Sequence, residues 1–421
     1  MMFFDEYKYM IENHGFHERL LVDYIEGQAK EKGFKKLQLE DSEIKQGDRL
    51  IFKFRDKFIA LVKVGKNLVE GANVIVSHLD SPRLDVITGD PFIEEDDGVF
   101  LKTIPYGGII AQSWLDRPLI LVGRVTTEKG VIDINTKGEF EFVVTSLLPH
   151  LNGRDEMQDL KCKDLIVRIG NNKKENVLEF IKEKYGIEDK DLEFADLSFV
   201  PADGVRELGF DKDLITGYGH DDSCCAFAEL KAFFDSKDTE RTQMALFASY
   251  EETGSGQTTG CESEYIDDIF RLILFATSEF NNEVFARAAI RNSCVISADV
   301  CAGYDSNFGS HFEKSAMAVC GKGAGIVPYL GCKRGNDTEF AFKHWIKKLA
   351  VDNEIKYSIE TNKLGEGGGG TVSSFFAIKG CHVIDIGVPV LAMHSPQEVI
   401  SKTDLHETYK LYKVFYESKF E

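Results

Sequence analysis

Long apolar runs, positive charge and paired cysteines are all scarce in this chain. No stretch approaches the roughly 20 apolar residues that a membrane helix requires, so a membrane is not expected among its partners. The 421 residues carry 50 Lys and Arg against 70 Asp and Glu, a formal charge of −20. Phosphate recognition needs clustered cations, so the charge argues against a nucleic-acid surface, though not against a small basic pocket. The nine cysteines are an odd number and include no Cys-x-x-Cys. They fit reduced thiols in a cytoplasm better than a disulfide framework. The opening residues, Met1-Met2-Phe3-Phe4-Asp5-Glu6, turn acidic at once, unlike a secretory signal. Familiar catalytic motifs are missing too. His17-Glu18 and His406-Glu407 lack the second histidine of HExxH, and there is no Gly-x-Ser-x-Gly elbow and no P-loop. The glycines of residues 365–370 match GxGxxG literally, but no apolar strand is expected before them.

What is present is an ordinary globular composition, 43% hydrophobic and 29% charged, in a chain long enough for more than one domain. Residues 5–33 read as one amphipathic helix, and residues 50–64 as a hairpin. Short apolar strands recur at residues 72–76, 244–248, 294–297 and 383–391. Helical patterns lie between and after them, at residues 223–234, 337–351 and 395–420. Alternating strands and helices predict an α/β fold with a central mixed β-sheet flanked by helices. Residues 89–212 read as mainly β, with strands at 100–104, 119–125, 130–134 and 140–144 and one helix at 175–185. They predict a domain inserted into a discontinuous catalytic domain of residues 1–88 and 213–421.

The chemistry collects at strand ends, where α/β folds place their sites. Four strands deliver His78 and Asp80, Glu251 and Glu252, Asp299, and His394. A fifth segment, Gly217-Tyr218-Gly219-His220-Asp221-Asp222, is a loop that opens a helix with adjacent carboxylates. Each alone has an ordinary reading: a satisfied histidine, or a carboxylate at a helix start. Jointly they form a nitrogen–oxygen ligand set for zinc or a similar divalent ion. Asp80, two residues beyond His78, is placed to orient the imidazole. In an extended segment Glu251 and Glu252 would point apart, so one could bind metal while the other serves as general base. Cys224-Cys225, beside Ala226 and Phe227, reads as a buried helix face rather than a nucleophile.

Several of these segments resemble one family. Ser77-His78-Leu79-Asp80-Ser81-Pro82-Arg83-Leu84, Trp114-Leu115-Asp116-Arg117-Pro118-Leu119, Ser249-Tyr250-Glu251-Glu252-Thr253-Gly254-Ser255, Ser297-Ala298-Asp299-Val300 and Leu391-Ala392-Met393-His394-Ser395 are similar to the aspartyl aminopeptidases. The resemblance covers nearly the whole chain. It implies a cytosolic peptidase acting on peptide N-termini with two co-catalytic divalent metal ions. It also implies that the β insertion dimerises and that the dimers assemble, commonly into dodecamers. By position, His78 and Asp299 would hold one metal and Glu252 and His394 the other. Asp221 would bridge them, Asp80 would orient His78, and Glu251 would be the base. His150 would reach a neighbouring subunit's site, and the backbone at Gly368 and Gly369 would approach substrate. Zinc is the expected metal, with cobalt and manganese compatible with the same donors. Ala302 and Asp305 stand where eukaryotic members have histidines, and residues 323–327 lack a lysine that those members place near the substrate side chain. A preference for N-terminal Asp or Glu is therefore left open. The competing readings are a zinc deacylase or deblocking peptidase, which would not need a free substrate amine, and a non-catalytic shell protein. The filled ligand positions count against the shell.

Overall fold

The computed structural model describes residues 2–37, 44–171, 173–277, 282–329, 337–361 and 370–420. Gly368 and Gly369 lie outside the described residues. The chain forms two compact units: residues 1–80, 205–393 and 398–421 in the first, and 81–204 with 394–397 in the second. The second unit thus runs from Ser81 to Gly204 rather than over the expected 89–212, and it takes in the short segment His394–Gln397.

The first unit is built on a nine-stranded mixed sheet. Its centre is four parallel strands in the spatial order Thr242–Ala248, Ala72–His78, Cys294–Ser297 and His382–Gly387. The hairpin Arg49–Phe54 and Phe58–Lys63 extends one side. Ala324–Tyr329 and Tyr357–Thr361 extend the other. Successive side chains on a strand face opposite sides, and here both sides are apolar. Ile75, Ala245 and Phe247 join one buried cluster with helices Glu18–Glu31, His220–Asp235 and Lys402–Tyr416. Val74, Val76, Met244 and Leu246 join the other, with helix Tyr265–Thr277. Burial on both faces is why these strands read as continuous apolar runs.

The N-terminal pattern, expected as one helix, is two: Phe3–Asn13 and Glu18–Glu31. The break falls at Gly15, where a Cβ would lie 2.7 Å from the Ile11 side chain. His17 caps the second helix by accepting the Arg19 N–H at 3.2 Å. The C-terminal pattern is likewise split, into strand Glu398–Ser401 and helix Lys402–Tyr416. A strand, Tyr357–Thr361, does precede the glycine run.

The second unit is an antiparallel sheet of seven strands with helix Lys174–Tyr185. Three of its four expected strands fall within Gly98–Tyr106, Leu119–Thr127 and Gly130–Asn135. The fourth, at residues 140–144, makes only isolated bridges, Leu119 to Phe142 and Val143 to Arg168. Alternation in sequence was sufficient to suggest a strand there, but a full ladder also needs a partner edge in register.

Candidate metal centre

The C-terminal ends of parallel strands are brought level by their register. Ala248 pairs with His78, and Ser297 with Val76. The residues that follow therefore emerge side by side at one edge of the sheet. His78 ends its strand and is 1% exposed. Its Nδ1 lies 2.9 Å from the Asp80 carbonyl oxygen, while its Nε2 faces Asp221 Oδ1 at 3.3 Å and Asp299 Oδ1 at 3.7 Å. Burial would push this imidazole's pKa down. The carboxylates of Asp221, Asp299 and Asp80 outweigh burial and raise it well above the usual range.

Asp80 differs in detail from its expected part. Its carbonyl meets His78 Nδ1, and its carboxylate oxygen is farther, at 3.6 Å. The two carboxylate oxygens instead accept the backbone N–H groups of Glu251 and Glu252, each at 3.2 Å. Those glutamates are not in extended chain. Tyr250 is left-handed, with φ +62°, and a single 3-10 turn, Glu251–Thr253, follows it. A bulky residue at positive φ costs energy and persists only where its surroundings hold it. The two carboxylates still diverge. Glu251 groups with His78 and Asp299, and Glu252 with His78 and Asp221.

Asp221 and Asp222 open helix His220–Asp235 after Gly219, whose φ of +73° glycine adopts without strain. Asp221 donates its N–H to Glu398 Oε2 at 2.9 Å. Asp222 Oδ2 accepts the His78 N–H at 3.2 Å, which ties the strand end to the helix start. Asp222 also groups with Asp221 and Asp299. It was quoted in the sequence pattern but given no role. Glu398 carries no sequence signal, because only the fold brings residue 398 to residue 221. Cys224 and Cys225 are fully buried, and burial pushes both thiols up, that of Cys224 to about 11. That agrees with a helix face and not with a nucleophile.

His394 belongs to the second unit. Its φ is +64°, and its Nδ1 lies 2.8 Å from the Gly108 carbonyl. Gln397 Nε2 donates to Asp203 Oδ2 at 3.0 Å in the same unit, which explains why this segment departs from the expected catalytic domain. His150 sits exposed in the turn Pro149–Leu151.

The donor set fits a divalent metal. Within each group of His78, Asp221 and Glu252, of His78, Glu251 and Asp299, and of Asp221, Asp222 and Asp299, ligand atoms lie within 4.8 Å of one another. One imidazole among crowded, buried and half-buried carboxylates is electrostatically unfavourable without a cation. Burial, with the charge of Asp299, pushes the Glu251 carboxyl up accordingly. Imidazole with carboxylate oxygen suits zinc. An α/β sheet with this cluster at the ends of its parallel strands is the framework of a metal-dependent hydrolase.

The sequence model of the family described as "Aminopeptidase I zinc metalloprotease (M18)" matches residues 13–416. This chain belongs to the M18 family, and it is a metal-dependent aminopeptidase. A probable M18 family aminopeptidase 1 of Borreliella afzelii is 36% identical over 425 residues, covering 95% of this chain and 92% of the relative. The crystal structure of an M18 aminopeptidase from Thermotoga maritima superposes with a TM-score of 0.92 at 32% identity, over 98% of this chain and 95% of that one. A more distant likeness, in fold alone, is to the Saccharomyces cerevisiae mApe1 dodecamer, with a TM-score of 0.82 at 20% identity over 98% of this chain and 96% of that one.

Proposed function

We propose that the enzyme removes N-terminal residues from peptides with two bridged zinc ions and Glu251 as general base. In this reading His78 and Asp299 hold one ion and Glu252 and His394 the other, and Asp221 bridges them. The observation that carries it is the convergence of His78, Asp221, Glu251, Glu252 and Asp299 in overlapping groups of metal-ligating atoms. The Nδ1 contacts of His78 and His394 with carbonyls, those of Asp80 and Gly108, suit histidines that ligate through Nε2.

Bound metal would polarise the scissile carbonyl and lower the pKa of a water held there. The protein's own part is acid–base and positional. Glu251 takes a proton from the attacking water and delivers it to the leaving amine nitrogen. Asp80 fixes the main chain of both glutamates. A free α-amine would sit among the acidic side chains of this cluster, which favours exopeptidase action over cleavage within a peptide.

Finer elements of the same proposal concern substrate and assembly. Gly368 and Gly369, outside the described residues, are assigned to the substrate's path on the family resemblance alone, and the side-chain preference at the first residue is left to the substrate panel. The second unit dimerises and the dimers assemble further. That reading is supported by the fold likeness to a dodecamer and by exposed apolar side chains in this unit, including Ile110 at 70% and Leu151 at 62%. His150 reaches a neighbouring subunit's site. A cytoplasmic setting belongs to the same proposal, on the odd cysteine count without Cys-x-x-Cys in the sequence.

A panel of aminoacyl chromogenic substrates, free and N-blocked, tests this with metal-free protein, zinc-loaded protein and Glu251→Gln. The expected result is zinc-dependent cleavage of free-amine substrates, with kcat reduced by roughly 10² to 10⁴ in the variant. Undiminished cleavage by Glu251→Gln would remove it as the base. Cleavage of blocked substrates alone would replace the aminopeptidase reading with a deacylase.

A further inference from the structure

We propose that Lys57 is a positioning residue for the loop that carries Glu251, acting through the side chain of Tyr250. The proposal rests on the reading of Glu251 as the base.

Tyr250 immediately precedes Glu251, and its left-handed backbone sets the direction in which the following turn leaves the strand. Something must hold an aromatic residue in that conformation. The main chain supplies part of the hold: Ser255 N–H donates to the Tyr250 carbonyl at 2.7 Å. Lys57, at the turn of the neighbouring hairpin, adds a side-chain contact. Its Nζ donates to the Tyr250 hydroxyl at 3.3 Å and lies 5.1 Å from the centre of the ring. The Ser249 hydroxyl in turn donates to the Lys57 carbonyl. The hairpin turn and the loop therefore touch at two points, one through main chain and one through side chain. Register makes this possible, because Phe247 pairs with Ile59 and so places Lys57 beside residues 249 and 250.

Lys57 is itself fixed. It is only 7% exposed, and its Nζ forms an ion pair of 2.8 Å with Glu18 Oε1. Glu18, at 1% exposure, is the first residue of helix Glu18–Glu31, and its other oxygen lies 3.4 Å from His17 Nδ1. A buried ion pair contributes little net stability over apolar residues of the same size, and fixing geometry is one of its attested uses. Here the geometry it fixes is that of a loop with two anchors. Asp80 holds the backbone N–H groups of Glu251 and Glu252 from one side, and Lys57 holds Tyr250 from the other.

The test is steady-state kinetics on Lys57→Met, Lys57→Arg, Tyr250→Phe and the Lys57→Met/Tyr250→Phe double variant, with zinc content and melting temperature measured on each. Misplacing a catalytic group by about 1 Å can cost roughly 10² in rate. Lys57→Met is expected to lower kcat by roughly 10- to 100-fold with KM and zinc content unchanged. Lys57→Arg should restore most of that loss. Tyr250→Phe should lower kcat by a smaller factor at unchanged melting temperature. The double variant should be no slower than Lys57→Met, because both act through one contact. Wild-type kcat in Tyr250→Phe, or a kcat loss in Lys57→Met that only follows its folded fraction, would overturn the proposal. Should Lys57→Met fail to fold, Tyr250→Phe decides alone. Glu251→Gln separates the two readings. If it is active, the base assignment falls. If it is inactive while the Tyr250 and Lys57 variants match wild type, only the positioning role falls.

Discussion

The Asp80 carboxylate takes two backbone N–H groups, those of Glu251 and Glu252, and so holds both glutamates by their main chain. Asparagine at this position keeps one acceptor oxygen but turns an amide N–H₂ toward a donor. Asp80→Asn is therefore expected to lose roughly 10- to 100-fold in zinc affinity or activity, measured by competition with a zinc indicator and by substrate turnover. The residue types at this site were readable in the chain, because imidazole and carboxylate at strand ends have few other common uses in combination. The particular contacts were not. Nothing in the spacing of His78 and Asp80 distinguishes a carbonyl contact from a carboxylate one, and nothing in residues 250–252 announces a left-handed tyrosine.

At the scale of elements, the sheet is held by alternate side chains that feed two separate clusters. Phe247 is fully buried in one of them. Phe247→Ala should cost about 3–5 kcal/mol, read as a shift in the urea midpoint. Helix Glu18–Glu31 adds a pH-dependent contribution. Burial raises the Glu26 carboxyl's pKa, but Lys30, Lys36 and Lys53, at 2.5, 2.8 and 3.0 Å, outweigh it and hold it at about 2. The folded value lies below the ordinary 4.5, so the unfolded chain takes up the proton first. This stabilisation is fully present above about pH 4.5 and is lost as the pH falls through about 2. The gap in melting temperature between wild type and Glu26→Gln should therefore narrow over that window. Helical periodicity marked these residues as helix but could not show the break at Gly15, where close approach to Ile11 and not propensity ends the first segment.

For the whole molecule, metal and assembly are the terms to vary. An ion that binds only the folded chain stabilises it by mass action, about 2.7 kcal/mol at a hundredfold excess over its dissociation constant. Chelation should thus lower the melting temperature and abolish turnover together, and added zinc should restore both. If the second unit dimerises through its exposed apolar side chains, Leu148→Asp should dissociate the assembly in sedimentation velocity. Its own fold should be little changed, because Leu148 is already 48% exposed.

Read along the chain alone, the residues showed an α/β framework, a mainly β middle stretch, the ligand-type side chains and the resemblance to a metallo-aminopeptidase family. The first three follow from local periodicity or from residue types clustered within a few positions, and the resemblance follows from motifs spread between residues 77 and 395. What depends on contacts between distant positions came from the folded chain: Glu398 against Asp221, Asp222 against the His78 N–H, Lys57 against Tyr250, and the membership of His394 in the second unit. Periodicity reports which side of an element is buried. It carries no information on which element lies against it, and those pairings are what set the geometry of the site.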